Sequence, residues 1–313
     1  MKTKAVTAVF GLHHITLLTK DLEQNYDFYV NFLGFRFIKN SINQENPKMR
    51  HVFYGDYLGT PGTATTFIQV PLLGHRTDGA NRLSTIYYDV PQGSYGFWQK
   101  RLEQKNIEFH YEDHALVFHD PDGVKIGFIY KNEKLRDDQV VPNDIPADYQ
   151  IIRLNKTELY GADYQASLDF FKAFDELKVN EETSMVEADH TTGVKVKQGD
   201  KDSKTRFGRG SIDHIAFDVG SKETLDAVHQ FAKDQHMNIE EYIDRGWFYS
   251  LYVKEPNGTR IEFATGGPGF TLDEPLDHLG EKLRVGPRWQ EQRPEILAYH
   301  QARGVFLNDE GHE

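Results

Sequence analysis

Residues 21–29, DLEQNYDFY, and residues 163–171, DYQASLDFF, are two diverged copies of one pattern, and this repetition decides the fold. Asp27 in the first copy corresponds to Asp169 in the second. Apolar residues recur in the pattern at the spacing of one helix face. Similarity between distant parts of a chain indicates that repeated supersecondary units build the molecule.

A second set of stretches extends the repetition to four units. STIYYDV at residues 84–90 resembles DHIAFDV at residues 213–219, and DPDGVKIGF at residues 120–128 resembles EPNGTRIEF at residues 255–263. The second unit therefore aligns with the fourth, as the first aligns with the third. Each unit reads as a strand, an amphipathic helix and three shorter β-rich runs separated by turn residues, which predicts a βαβββ module four times.

The predicted fold class is α+β, with four βαβββ modules in two domains and the modules paired into half-barrel cups. We place the first pair of modules in residues 1–131 and the second pair in residues 149–268. Residues 132–148 lie between them, are polar and contain two prolines, which is typical of a linker. Residues 269–313 form a C-terminal tail in which RPEILAYHQARG predicts a helix.

The composition excludes several classes of function. A net charge of −12 disfavours broad binding to nucleic acid or to an anionic membrane. No apolar run approaches the roughly 20 residues that span a bilayer, and the N-terminal MKTKAVTAVFG lacks the length and cleavage pattern of a secretory signal. We therefore expect a cytoplasmic protein that acts on a small molecule. The chain has no cysteine, so any metal must be held by His, carboxylate or amide groups.

Two histidines occupy equivalent places in the opening strands of two units. His14 lies in GLHHITLL of the first unit, and His214 lies in SIDHIAFDV of the fourth. The corresponding positions are Thr85 in the second unit and Lys156 in the third, neither of which carries an imidazole. The two histidines therefore mark the first and fourth units as the pair that forms a site.

A carboxylate in the closing hairpin of the fourth unit completes a set of three. The turn at Pro256, Asn257 and Gly258 suits a tight connection between antiparallel strands. A turn centred on Asn257 places Tyr252 directly opposite Glu262, and opposite residues share one face of a sheet. In the second unit, the same construction places Val117 opposite Gly127, which leaves no carboxylate there.

Two imidazoles and one carboxylate are the set that holds non-haem Fe(II) and leaves other coordination positions open for chemistry. We therefore predict that His14, His214 and Glu262 bind one divalent metal ion in a cup that the first and fourth units share. Taken alone, a strand histidine is more often a core or surface residue, and Glu262 would ordinarily face solvent. The coincidence of three positions favours the metal site. The remaining histidines without a repeat partner are interpreted as structural or exposed; they include His51, His75, His110, His114, His119 and His190.

These features resemble the vicinal oxygen chelate superfamily, which includes glyoxalase I, bleomycin-resistance proteins and extradiol ring-cleaving dioxygenases. Within it, GLHHIT at the start, PGTATTF at residues 61–67, DHIAFDV and the C-terminal Glu strand are most similar to bacterial hydroquinone ring-cleaving dioxygenases. The resemblance covers essentially the whole chain. It implies an Fe²⁺ cofactor, with Zn²⁺, Ni²⁺ or Mn²⁺ as substitutes, and metal ligands drawn from the first and last modules.

The resemblance also implies residues around the metal. Tyr252 and Arg245 match a tyrosine and an arginine that precede the Glu ligand in that family. Thr16, two residues after His14 on a strand, is expected to share the ligand face, whereas His13 is expected to point the other way, with packing and catalytic roles both open. The family often has a histidine before the second His ligand, but this chain has Asp213 there. That departure leaves the acid–base arrangement and the substrate open.

The implied function is a ring-cleaving dioxygenase that opens a hydroquinone- or catechol-type aromatic with O2, as in quinone detoxification. One alternative is a glyoxalase-like, metal-dependent isomerase or lyase, which would need a fourth ligand at Thr66 or, after a register slip, at Gln69. Another alternative is a binding protein that only sequesters an aromatic compound. The expected partners are a small aromatic substrate and O2, and a homodimer is possible.

Overall fold

The computed structural model describes residues 9–189 and 192–302, and these residues form a sheet-dominated α+β fold with few helices. Among them, no helix combines the length and the apolar character that a membrane crossing needs. His190, residues 1–8 and the end of the predicted tail, residues 303–313, lie outside the described residues.

The first two units each consist of a strand, a helix and three strands, as predicted. The elements of the first unit are β1 (Gly11–Thr19), α1 (Leu22–Tyr26), a π-helical extension (Asp27–Phe32), β2 (Arg36–Ile42), β3 (Arg50–Gly55) and β4 (Ala64–Gln69). Those of the second unit are β5 (Arg82–Pro91), α2 (Tyr95–Gln104), β6 (Phe109–Glu112), β7 (Ala115–His119) and β8 (Lys125–Lys131).

The third and fourth units repeat this order. The elements of the third unit are β9 (Arg153–Gly161), α3 (Tyr164–Lys172), β10 (Lys178–Asn180), β11 (Met185–Glu187) and β12 (Gly193–Gln198). Those of the fourth unit are β13 (Ile212–Gly220), α4 (Lys222–Asp234), β14 (Asn238–Asp244), β15 (Phe248–Lys254) and β16 (Arg260–Pro268). The helices α3 and α4 begin at Asp163 and Ser221, whose side chains accept bonds from the free backbone N–H groups of Ala166 and Thr224.

Strand pairing joins units that are distant in the sequence. The opening strand β1 of the first unit runs antiparallel to β13 of the fourth, and β5 of the second unit runs antiparallel to β9 of the third. Hydrogen-bonded neighbours then give one series of strands in the order β2–β3–β4–β1–β13–β16–β15–β14 and another in the order β6–β7–β8–β5–β9–β12–β11–β10. The pairing of Ile212 on β13 with Leu83 on β5 joins the two series into one sheet. The first and fourth units therefore build one cup, which we call the 1/4 cup, and the other two units build the 2/3 cup.

Alternation along the strands separates the main core from the inner face of the 1/4 cup. Val52 and Tyr54 of β3 pack in the main core with the helices, whereas Phe53 between them belongs to a separate apolar cluster. That cluster contains Ala216 of β13 and Phe248 of β15 together with residues of β2, β4 and β16. The inner face of the cup therefore contains an apolar region to which both units contribute.

The two segments outside the modules pack against the first unit. In the predicted linker, the Gln139 amide donates to Asp56 Oδ2 at 2.6 Å, and Ile145 is buried. In the tail, β17 (Leu283–Arg284) pairs with β2, and α5 (Arg293–Gln301) forms where a helix was predicted. The buried ammonium of Lys39 on β2 binds Asp273 at 2.7 Å and also binds Glu274. The domain boundaries proposed from the sequence remain a prediction.

Candidate metal centre

The structure brings His14, His214 and Glu262 together on the inner face of the 1/4 cup. Ala216 of β13 lies opposite His14 of β1 on one side and beside Glu262 of β16 on the other, so a small side chain lies between these two ligand residues. The imidazole Nε2 atoms of His14 and His214 are 3.3 Å apart. Glu262 Oε2 lies 3.2 Å from His14 Nε2 and 2.9 Å from His214 Nε2. All three side chains are buried.

Hydrogen bonding fixes which nitrogen of His14 carries the proton. His13 Nε2 lies 3.1 Å from the carbonyl oxygen of Thr265, which can only accept, so His13 Nε2 is the protonated atom. Burial, followed by the neighbouring His14, lowers the pKa of His13 to about 3, so this ring is neutral and its Nδ1 accepts. His14 Nδ1 lies 2.8 Å away and donates to it. The lone pair of His14 is therefore on Nε2, which points at Glu262.

His214 is oriented by a different partner. Its Nδ1 donates to Asp213 Oδ2 at 2.7 Å, and the same carboxylate oxygen accepts from Arg260 at 2.9 Å. Burial alone would raise the pKa of Asp213, but His214 and Arg260 outweigh it and lower the pKa to about 2. Asp213 is thus a carboxylate that holds the Nδ1 proton, which leaves Nε2 as the nitrogen of His214 that faces Glu262 and can serve a metal. This arrangement gives a role to the residue that departs from the family pattern.

The donor set suits a divalent cation. Two imidazole nitrogens and a carboxylate converge within 4.8 Å, and Oε1 of the buried Glu262 has no hydrogen-bond partner among the described residues. Burial opposes ionisation of Glu262, but His14 and His214 outweigh it and hold its pKa well below the usual range. With both Nε2 atoms deprotonated, three buried electron-pair donors would repel one another unless a cation lay between them. A metal ion with nitrogen and oxygen ligands fits this position.

Tyr252 lies directly opposite Glu262 in the β15–β16 ladder, as the turn geometry predicts. Its ring meets the His214 ring edge to face, with 5.3 Å between the centroids. Burial and then the Glu262 charge raise the pKa of Tyr252, so the phenol keeps its proton and is a hydrogen-bond donor. Arg245 places its guanidinium carbon 5.0 Å from the centre of the Tyr252 ring. Both predicted residues therefore adjoin the three candidate ligands.

The other wall of the cup carries a chain of hydroxyls that ends at a histidine. Thr16 Oγ1 is 2.8 Å from Thr66 Oγ1, and Thr66 Oγ1 is 3.1 Å from His51 Nε2. Thr16 shares the ligand face, as strand alternation predicts. His51, interpreted from the sequence as structural or exposed, is partly buried here, with its Nε2 bonded to Thr66 and its ring beside Phe53. His75, His110, His114 and His119 are exposed.

His13 departs from simple strand alternation. A regular strand would direct it away from His14, but the register of β1 against β13 shifts between Leu12 and His14. Such an irregularity turns a side chain locally. The buried His13 ring therefore reaches His14 Nδ1 and also packs 5.2 Å from the Phe248 ring, centre to centre.

The 2/3 cup has different residues at the level of the metal site. Lys156 of β9 pairs with Tyr87 of β5, and Tyr87 pairs with Gly127 of β8. These three residues occupy the places that His14, Ala216 and Glu262, in that order, have in the 1/4 cup. A Cβ added to Gly127 would meet the Tyr87 ring at 2.5 Å, so the tyrosine fills the space of the missing carboxylate. A cavity of about 410 Å³ remains, lined by residues that include Lys156, Glu158 and Lys197. Among the described residues, the 2/3 cup has no comparable ligand cluster.

Comparison with known proteins identifies the superfamily to which this chain belongs. The sequence profile of the Glyoxalase/Bleomycin resistance protein/Dioxygenase superfamily matches residues 11–128 and 153–263. A Bacillus subtilis (strain 168) protein with the provisional name ring-cleaving dioxygenase MhqA is 30% identical over 308 residues, which span 93% of this chain and 98% of that protein. The chlorohydroquinone/hydroquinone 1,2-dioxygenase of Sphingobium indicum is 26% identical over 309 residues, which span 92% of this chain and 95% of that enzyme.

Solved structures show the same fold. A crystal structure of a provisionally named dioxygenase from Bacillus subtilis subsp. subtilis str. 168 superposes with a TM-score of 0.87 and 25% identity, covering 98% of this chain and 100% of that chain. Glyoxalase I from Zea mays superposes with a TM-score of 0.59 and 14% identity, covering 82% of this chain and 92% of that chain. The second likeness is one of fold alone.

Proposed function

The chain belongs to the glyoxalase/bleomycin resistance protein/dioxygenase superfamily, and from this premise we propose that it is a cytoplasmic, extradiol-type ring-cleaving dioxygenase. Its substrate is a hydroquinone- or catechol-type aromatic, its co-substrate is O2, and its cofactor is one non-haem Fe(II). The ring-cleaving names of relatives that match more than nine-tenths of the chain support the reaction class.

One observation carries the proposal. His14, His214 and Glu262 direct three lone pairs at one point, and hydrogen bonds to His13 and Asp213 fix the tautomers of both imidazoles. A facial set of two histidines and one carboxylate is typical of non-haem Fe(II) oxygenases, because it leaves positions free for substrate and O2. The bound iron would supply the electron transfer that lets O2 react with an electron-rich ring.

The reaction balances without another reductant. A ring carbon–carbon bond next to a hydroxyl-bearing carbon breaks, and both atoms of O2 enter the ring-opened product, so the ring supplies the electrons that reduce the oxygen. The chain's own residues hold the reactants for this step. Tyr252 offers a phenol proton beside Glu262, and Arg245 offers a positive charge beside Tyr252. Phe53 and Phe248 provide an apolar surface for the ring.

The glyoxalase-like alternative has weaker support in the residues of the cup. A fourth ligand on β4 would stand at Thr66, whose hydroxyl is already engaged by Thr16 and His51. Gln69 lies at the end of β4, where its amide approaches the backbone carbonyl of Lys20 at 3.5 Å. Neither residue is a strong metal donor in this setting.

Oxygen uptake tests the proposal. The protein is loaded with Fe(II) without oxygen, mixed with each member of a panel of hydroquinones and catechols, and then supplied with O2 while its concentration is followed. We expect one O2 consumed for each ring opened with at least one diol, and both atoms of ¹⁸O2 in the product. Protein loaded with Zn²⁺ should consume none, because zinc has no redox chemistry.

The same panel separates the alternatives. No O2 uptake with any diol, together with isomerisation of a carbonyl substrate by the Zn²⁺ or Ni²⁺ protein, would establish the isomerase instead. Tight binding of an aromatic compound that does not depend on metal, with neither reaction, would establish a sequestering protein.

A further inference from the structure

His51 faces the interior of the 1/4 cup from the wall opposite Tyr252. It lies two residues before Phe53 on β3, so the two side chains share a face, and their ring centres are 4.3 Å apart. The Phe53 ring contacts Phe248 and Phe270 in the apolar cluster of the cup. The His51 residue is partly exposed rather than fully buried.

The orientation of His51 is fixed by residues behind it. Its Nε2 is bonded to Thr66 Oγ1 at 3.1 Å, and Thr66 is bonded to Thr16 at 2.8 Å. Thr66 of β4 pairs with Thr16 of β1 on one side and with Phe53 of β3 on the other. This position in the first unit corresponds to that of Glu262 in the fourth. The position that supplies a metal ligand in one unit therefore supplies an anchor for His51 in the other. His51 Nδ1 remains available to a ligand.

The two walls of the cup approach each other at Arg245 and His51. Gln44 follows β2 near His51, and its amide donates to the backbone oxygen of Arg245 at 2.9 Å, which ties the two walls together. Burial lowers the pKa of His51 well below its usual range, and the charge of Arg245 lowers it further. The imidazole is therefore neutral, with one nitrogen able to donate and the other able to accept.

An aromatic substrate that places one oxygen at the three ligands would have its ring on the floor of the cup, which β1, β13 and β16 form. A second hydroxyl on the far edge of that ring is then directed away from the ligands, toward the side chains of the cup walls, which include His51. We propose that His51, anchored by Thr66 and Thr16, hydrogen-bonds the ring hydroxyl that does not reach the metal and so selects substrates that carry one there. This inference rests on the proposed function, because it takes an aromatic diol as the ligand.

Binding to a metal-loaded, non-reacting protein tests this role separately from catalysis. The Zn²⁺-loaded protein is titrated calorimetrically with hydroquinone and with phenol, which has the same ring without the second hydroxyl. Wild type should bind hydroquinone roughly 3- to 10-fold more tightly than phenol, the contribution of one neutral hydrogen bond. His51→Phe keeps an aromatic ring beside Phe53 but cannot make the bond, so its preference for hydroquinone should fall to about twofold, the statistical factor for a diol with two equivalent hydroxyls.

Three further variants test whether the preference for hydroquinone depends on His51 and its anchor. His119→Phe removes an exposed histidine of β7 and should leave the hydroquinone preference unchanged. Thr66→Val should weaken the preference, because His51 loses its anchor. His51→Gln retains a hydrogen-bonding group and should keep part of the preference, which also covers failure of the Phe variant to fold.

A hydroquinone preference that persists unchanged in zinc-loaded His51→Phe would overturn the role of His51. So would equal binding of hydroquinone and phenol by wild type. In both cases, O2 uptake by the Fe(II) protein would still support the proposed function. Absence of binding of either ligand, together with absence of O2 uptake, would overturn both.

Discussion

His13 and His14 are joined through their Nδ1 atoms, 2.8 Å apart, and this bond sets the tautomer of the candidate ligand His14. The bond depends on the second nitrogen of His13, which donates to the carbonyl of Thr265 at 3.1 Å. Neighbours on one strand normally face opposite ways, so the contact requires the register shift at this point in β1. A backbone carbonyl of β16 thereby orients a ligand on β1.

Replacement of His13 by Phe should lower metal affinity while it leaves all three ligands in place. The ring of Phe fills the buried space but cannot accept from His14 Nδ1, so His14 is free to take the other tautomer. Loss of such a partner weakens metal binding by about 10- to 100-fold. Competition with a chelator measures this affinity. His13→Gln, which can both donate and accept, should lose less, and equal affinity of wild type and His13→Phe would contradict the assigned tautomers.

Asp213→Ala should weaken metal binding by a similar mechanism, again by about 10- to 100-fold. The variant removes the acceptor of the His214 Nδ1 proton. Glu240→Gln is the matched control, because Glu240 also binds Arg260, at 2.7 Å, but has no contact with His214. Chelator competition should separate the two variants. If they lose affinity to the same extent, the effect comes from Arg260 rather than from the orientation of His214.

Tyr252→Phe should retain the metal, since no ligand is lost. Turnover should fall by roughly 10- to 1,000-fold, which is the range for loss of one positioned acid or hydrogen-bond donor. Initial rates of O2 uptake with the best diol measure the effect. Tyr249→Phe on the opposite face of β15 is the control and should keep its rate. Unchanged turnover in iron-loaded Tyr252→Phe would show that the tyrosine only packs in the hairpin.

Gly127→Ala should destabilise the protein by about 1–3 kcal/mol, the usual cost of an added methyl group in a well-packed site. The new Cβ would stand 2.5 Å from the Tyr87 ring, which fills the place of a carboxylate in the 2/3 cup. Denaturant titration gives the free energy of unfolding. Gly74→Ala, with no atom within 4 Å of its added Cβ, should change it little. Equal stability of the two variants would contradict the packing assigned to Tyr87.

The parts of the fold that repeat in the sequence could be predicted from it. The four modules followed from the paired stretches, and the turn at Asn257 fixed the register that sets Tyr252 opposite Glu262. The pairing of the first and fourth units followed from the positions of His14 and His214. These features depend on local spacing and on comparison of one unit with another, both of which can be read in one sequence.

His51 and Asp213 show where that reasoning ends. Ser250 is the residue of the fourth unit that corresponds to His51 of the first. Because the two residues differ, comparison of the units does not identify His51 as a functional residue. Its approach to Arg245 depends on the curvature of a sheet made from distant segments. Asp213 and His13 act through hydrogen bonds to ring nitrogens, which depend on side-chain orientation. For Asp213 and His13, the one signal in the sequence is that each is a polar residue next to a ligand histidine.

Metal stoichiometry tests the central claim, which is that His14, His214 and Glu262 hold one ion in the 1/4 cup. Protein loaded with Fe(II) under anaerobic conditions and freed of excess metal should contain one iron per chain. His14→Ala, His214→Ala and Glu262→Ala should each contain almost none while circular dichroism shows a native fold. Lys156→Ala, at the place of His14 in the 2/3 cup, should keep the full amount. A full complement of tightly bound iron in correctly folded His14→Ala would contradict the claim.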